Sequence, residues 1–208
     1  MISSAFLITA FVTLFVVIDP PGLIPLFIAL TQGMTPQHRH SIGLRACVIA
    51  AILLTMFGLL GEAVLGFVGI SMPAFRIAGG ILLFLTALDM LFERRTQRRE
   101  GQKTDPLHDP SVFPLATPLI AGPGAIATMI LLVGQSGPGW IGTLAVLGLM
   151  LALIVMTYLF FLVAAPIERV LGRTGTIVIT RLLGMLLAAL SVQFVIDGII
   201  GTGLIGQR

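Results

Sequence analysis

Ile18-Asp19-Pro20-Pro21-Gly22-Leu23 sets a carboxylate and two prolines inside an otherwise apolar run. From Ala5 to Leu30 there is no other charge. Asp19 lies 14 residues from Ala5 and 11 from Leu30, which at 1.5 Å per helical residue is roughly 16–21 Å from either end. That is near the middle of a hydrocarbon core about 30 Å thick. A carboxylate there costs about 2.5–3.5 kcal/mol on insertion scales. Pro20 and Pro21 lack an N–H and their rings clash with the preceding turn, so a helix is expected to break here. Broken backbone cannot face lipid; it must be buried in protein or line a wet cavity. The remaining chain is therefore expected to enclose this break.

Working outward, 57% of the 208 residues are hydrophobic and 10% are charged, where a soluble domain carries about 25% charge. Mean hydropathy is +1.08. An integral, polytopic all-α membrane protein of one domain (residues 1–208) follows, because every extramembrane segment is too short to fold alone. The net charge of +3 reads as topology rather than nucleic-acid binding, since the basic residues sit beside span ends. Cys47 is the single cysteine, which excludes an intrachain disulfide. The first apolar run has no basic leader and is too long for the core of a signal peptide, so it is read as retained.

Six spans are expected: Ala5–Leu30 (broken), Ile42–Leu60, Ala74–Leu91, Phe113–Val133 (broken), Ile141–Ala165 and Ile177–Ile200. With the N-terminus outside, ten basic residues fall inside: Arg39, Arg45, Arg94, Arg95, Arg98, Arg99, Lys103, Arg169, Arg173 and Arg181. Only Arg76 and Arg208 fall outside. The positive-inside rule then puts both termini on the external face.

The fourth span repeats the oddity of the first. In Pro118-Leu119-Ile120-Ala121-Gly122-Pro123-Gly124, Pro123 lies 9 residues from Pro114 and 10 from Val133, again near mid-membrane. Glu62-Ala63-Val64-Leu65-Gly66 before the third span is matched by Glu168-Arg169-Val170-Leu171-Gly172 before the sixth. Arg76, Gly79 and Thr86 are matched by Arg181, Gly184 and Ser191. Residues 1–92 thus read as one three-helix repeat, 93–111 as a basic cytoplasmic loop, and 112–208 as a second repeat. Three spans per repeat invert the second copy. Inverted repeats with interrupted helices in corresponding positions are the sequence sign of a secondary transporter.

Phe15-Val16-Val17-Ile18-Asp19-Pro20-Pro21-Gly22-Leu23-Ile24-Pro25, the Arg76-Ile77-Ala78-Gly79-Gly80 turn and Pro118–Gly124 resemble the MarC family of bacterial inner-membrane proteins. The likeness covers nearly the whole chain. The family also carries the label of neutral amino acid transporters, so the resemblance implies a cytoplasmic-membrane transporter of small neutral amino acids such as glycine and alanine, or of related metabolites, in either direction. A non-transporting accessory or sensor protein, or a channel, is the alternative.

Candidate residues follow from the breaks. Asp19 is either an N-cap with Pro20 at N1 or a group for a coupling ion (proton or sodium) or a substrate amine. Its repeat partner is Ala121, so the architecture does not demand the carboxylate twice. The breaks at Pro20, Pro21, Gly22 and at Gly122, Pro123, Gly124 are expected to expose half-helix N-termini suited to a substrate carboxylate; simple kinks are the bland alternative. Thr13, Thr117, Thr86 and Ser191 are candidate hydroxyls, with bonding to their own helix carbonyls as the ordinary alternative. Gln193 is expected to be buried among apolar residues and to need a partner. Arg76 and Arg181 are interfacial anchors or gating groups paired with Glu62 and Glu168. Asp89 and Asp197 are expected to be solvated at helix ends, and the long basic loop to set topology and touch anionic lipid.

An enzyme is not expected. His38, His40 and His108 are read as loop residues, leaving no intramembrane Ser–His pair. The chain has no H-E-x-x-H or G-x-x-x-x-G-K-[ST] run, and a paired-Asp site would need a second mid-membrane Asp. No metal and no cofactor beyond a coupling ion is expected. The partners are a small-molecule substrate and the bilayer, with no nucleic acid; so small a bundle is compatible with a homo-oligomer.

Overall fold

The computed structural model describes residues 3–92, 109–137 and 139–203, with the backbone alone for Glu168, Arg169, Leu171 and Arg173. Every regular element among them is helical: α1 (Ser4–Ile18), α2 (Pro20–Leu30), α3 (Pro36–Val68), α4 (Met72–Leu91), α5 (Ser111–Ile120), α6 (Pro123–Gln135), α7 (Trp140–Leu162) and α8 (Ala164–Gly201). The basic residues from Arg94 to Lys103, His108 and Arg208 lie outside the described residues.

The helices start where side chains can satisfy free amides. Ser3, Thr35 and Ser71 each accept a hydrogen bond from the backbone N–H three residues on, at Phe6, His38 and Ala74. α3 has Pro36 in its first turn and stops at Gly69, whose φ of 80° is left-handed. It therefore begins six residues before the expected span, and His38 and His40 stand in its first turns rather than in a loop. Its 33 residues run about 50 Å, longer than a hydrocarbon core. Hydropathy marked only its middle part.

Five helical stretches are long and apolar enough to cross a membrane: Ser4–Leu30, Pro36–Val68, Met72–Leu91, Trp140–Leu162 and Thr174–Gly201. A sixth is counted if α5 and α6, bent by 53°, form one span. The fifth expected span ends early, at Leu162, and α8 begins at Ala164 and breaks at Gly172, with φ 61° and ψ 176°. α5 winds in wide π-type turns, Leu115 N bonding Pro110 O at 3.2 Å and Ala121 N bonding Ala116 O at 2.8 Å. Phe113 and Thr117 within it are extended, each before a cis proline.

Burial sorts the bundle. In Ser4–Leu30 67% of the apolar stretch is inside, against 28% in α3, α4 and Thr174–Gly201 and 33% in α7, so the first span is central and those four form the wall. Leu14, Ile18, Leu23 and Ile24 meet Leu115, Ile120, Met129, Leu131 and Leu132 from α5 and α6 in one core. α4 and α8 run antiparallel at close range. A side chain added at Gly80 would come within 2.8 Å of the Ser191 carbonyl oxygen, one at Gly184 within 3.0 Å of Met90 Cβ, and one at Gly198 within 3.0 Å of Ile77 N. Small residues let the two backbones touch, the usual device where lipid supplies no hydrophobic drive between helices.

Candidate functional site

Asp19 is the one residue between α1 and α2, and it is fully buried. Its backbone is left-handed (φ 55°, ψ 60°), a conformation that Asp visits more readily than most residues. It closes α1 through its N–H, bonded to Phe15 O at 2.9 Å. It opens α2 through its carboxylate, whose Oδ1 accepts from Gly22 N at 3.1 Å. Pro20 and Pro21 occupy the first positions of α2, where a missing N–H costs nothing. At Gly22, a Cβ would collide with the Asp19 carboxyl group. The N-terminus of α2 is therefore filled by its own carboxylate, and the expectation that both half-helix starts present free amides is corrected for this one.

The start of α6 differs. Gly122 is its N-cap and makes no side-chain capping bond; Pro123 follows in the first turn. Gly122 is buried, with its Cβ direction filled 2.5 Å away by Pro118 O. A side chain at Gly124 would meet Leu83 at 3.4 Å, Thr86 Oγ1 at 3.5 Å and Val17 Cγ1 at 3.5 Å. Those three come from α4 and α1, so the first turn of α6, Thr86 and the α1 segment two residues before Asp19 converge. Thr128, which the sequence did not single out, bonds Gly124 O through its hydroxyl at 2.8 Å. The contact between the start of α6 and this end of α1 runs through Val17, while the Asp19 carboxylate is held at the start of α2.

The other candidates divide. Thr86 is beside Gly124, although its hydroxyl donates to Leu82 O at 3.0 Å. Thr13 donates to Thr9 O at 2.8 Å, Thr117 to Val112 O at 3.2 Å and Ser191 to Ala188 O at 2.7 Å. Ser191 is fully buried with its carbonyl in the α4–α8 seam, facing Gly80. Gln193 is a correction: it is exposed on α8, not buried, and its Nε2 donates to Asp197 Oδ1 at 2.7 Å. The i,i+4 spacing on one helix face supplies the partner.

Glu62 is exposed and Arg76 half-buried. Arg76 Nε is buried without a hydrogen bond, and among the described residues no ion pair joins it to Glu62. Arg181 is exposed, and the Glu168 side chain lies outside the described residues.

Outside the spans, Asp109 ties α5 to α3. Its Oδ1 accepts from Ser111 N at 3.0 Å and Ser111 Oγ at 2.7 Å, and its Oδ2 lies 3.3 Å from Arg45 Nη1. The two Ser111 bonds, then Arg45, hold its pKa below the ordinary carboxylate value.

Residues 4–202 match the family described as "MarC family integral membrane protein". A UPF0056 membrane protein of Archaeoglobus fulgidus is 39% identical over 200 residues, covering 94% of this chain and 92% of its own. The UPF0056 membrane protein YvbG of Bacillus subtilis is 38% identical over 209 residues, covering 98% and 96%. YhcE of Escherichia coli is 37% identical over 198 residues, covering 92% and 90%. No solved structure matches.

Proposed function

The chain belongs to the MarC family of integral membrane proteins, and on that premise we propose that it is a secondary transporter of small neutral amino acids or related small metabolites, not an enzyme. The observation that carries this is the buried Asp19 carboxylate, two residues from where Val17 meets the uncapped start of α6 at Gly124. In this reading Asp19 takes the coupling cation or the substrate amine. The first amides of α6, helped by its dipole, take the substrate carboxylate, with the Thr86 hydroxyl beside Gly124.

Two inverted three-helix halves fit the arrangement. The interrupted pair α1–α2 corresponds to α5–α6, α3 to α7 with the first turns of α8, and α4 to Thr174–Gly201. The antiparallel contact of α4 with α8 supports this pairing, because an in-plane two-fold axis would bring equivalent helices together in that sense. Both termini are then external, and the end of the bundle carrying Arg39 and Arg45 is cytoplasmic.

The test is uptake and efflux of labelled glycine and alanine by the purified chain in proteoliposomes under imposed proton and sodium gradients. Substrate-dependent flux driven by one gradient is expected. Silence under every gradient would leave an accessory role instead.

A further inference from the structure

At the end of the bundle where α2 turns into α3 and α7 into α8, a cavity of about 180 Å³ opens, lined in part by Phe27, Met34, Arg39, His40, Phe161 and Leu162. Its floor is the stacked pair Phe27 and Phe161, with ring centroids 4.3 Å apart and planes 11° from parallel. Its polar side is formed by the Arg39 guanidinium and the His40 ring, and among the described residues lining it there is no acid.

Both polar side chains are held from behind. Arg39 Nε donates to Thr31 Oγ1 at 2.8 Å, and that fully buried hydroxyl donates onward to Phe27 O at 2.7 Å. Anchoring Nε leaves the two terminal nitrogens of the guanidinium for the cavity, already oriented. His40 is met by the Tyr158 hydroxyl from α7, 2.7 Å from Nδ1 and 3.1 Å from Nε2, so its ring is fixed against α7 at the cavity's edge. Ala164 and Ala165 add the first turn of α8, whose start has no side-chain cap.

We propose that this cavity is a binding site for the phosphate of an anionic phospholipid, held by Arg39 beside the fixed ring of His40, with the lipid's apolar portion over Phe27, Phe161 and Leu162. A fixed guanidinium is suited to phosphate oxygens. A free inorganic anion would leave the aromatic floor uncovered, whereas a lipid covers both parts. Leu162 is 47% exposed, so an acyl chain can leave the cavity into the surrounding bilayer. The helix ends that build the cavity put it at headgroup depth, where anionic lipid is available by lateral diffusion. This site is separate from the one around Asp19.

Native mass spectrometry on the full chain in detergent tests it, with dioleoyl phosphatidylglycerol and dioleoyl phosphatidylcholine as probes. One phosphatidylglycerol should bind at least about tenfold more tightly than phosphatidylcholine. Arg39→Gln should lose about tenfold, the scale of one charge-assisted hydrogen bond. Arg45→Gln, whose guanidinium sits on Asp109, should keep wild-type affinity. Ala165→Leu fills the cavity without touching a charge and should weaken binding as Arg39→Gln does, which keeps the test open if that variant does not fold. Equal affinity for the two lipids, equal loss in Arg45→Gln, or unchanged binding in Ala165→Leu would overturn the site. Displacement of the lipid by glycerol phosphate at matched concentration would overturn the lipid assignment in favour of a soluble phosphate ligand.

Discussion

The Asp19 carboxylate occupies the space in which a side chain on Gly22 would begin. One residue's charge and another's missing Cβ are thus a single structural unit, and each constrains substitution of the other.

Gly22→Ala should destabilise the protein by about 1–3 kcal/mol, the usual range for overpacking a well-filled site. Asp19→Ala alone should cost about 0.5–2 kcal/mol, as a lost helix N-cap. Together they should cost less than their sum, because the second change removes the obstacle to the first. Thermal unfolding in detergent of the two single variants and the double variant reads this coupling; strict additivity would deny the clash.

Asp19→Asn keeps the size and the capping oxygen but not the charge. The variant should reach the membrane at wild-type abundance and lose gradient-driven accumulation of substrate. Counterflow exchange should persist if the carboxylate carries the coupling ion, and disappear if it holds the substrate amine. Wild-type flux at equal abundance would reduce Asp19 to a cap.

Gly80→Ala should cost about 1–3 kcal/mol, since the new methyl group meets the Ser191 carbonyl oxygen and Val195 of the facing helix. Gly148 on α7 has nothing within 4 Å of where a Cβ would stand, and Gly148→Ala should instead gain about 0.5–1 kcal/mol from helix propensity. Melting temperatures of the two variants should move in opposite directions.

Asp109 is held below its ordinary pKa first by the two Ser111 bonds. A depressed carboxylate adds stability that is present above its unfolded-state pKa and is lost as pH falls through the lower folded-state value. The side chain is 43% exposed, so solvent screening limits the effect to under about 1 kcal/mol. Wild type should lose this increment between neutral and strongly acidic pH, and Asp109→Asn should show no such component. Matching acid-unfolding curves for the two proteins would contradict the assignment.

Reporter fusions at residue 105 should be cytoplasmic, and fusions after Gly137 and at the C-terminus external, from the ten-to-two division of basic residues. A cytoplasmic C-terminus would remove both the even span count and the inverted halves.

The membrane class, the helical composition and the family were legible because long apolar runs and the motifs around Asp19, Arg76 and Gly122 are local signals. Helix ends were less so: α3 extends past the expected span at both ends, to the cap at Thr35 and to Gly69, neither of which changes hydropathy. Gln193 was misread because its apolar neighbours in sequence say nothing about which side of α8 faces outward. Arg39 with Thr31 and His40 with Tyr158 could not be anticipated from spacing across separate helices, although the Thr-to-Arg interval over a short turn was visible. Gly80 looked like any membrane-helix glycine, and only the position of Ser191 on α8 explains it.

The left-handed backbone at Asp19 has a mechanical consequence. Two helices joined through one residue share that residue's two dihedrals, and both of its caps depend on them. Swinging α2 against α1 must therefore give up the bond from Asp19 N to Phe15 O, or the bond from Gly22 N to the carboxylate, in a discrete step. The joint therefore ties the end of one helix to the start of the next, and Asp19→Asn alters its charge while leaving both bonds in place.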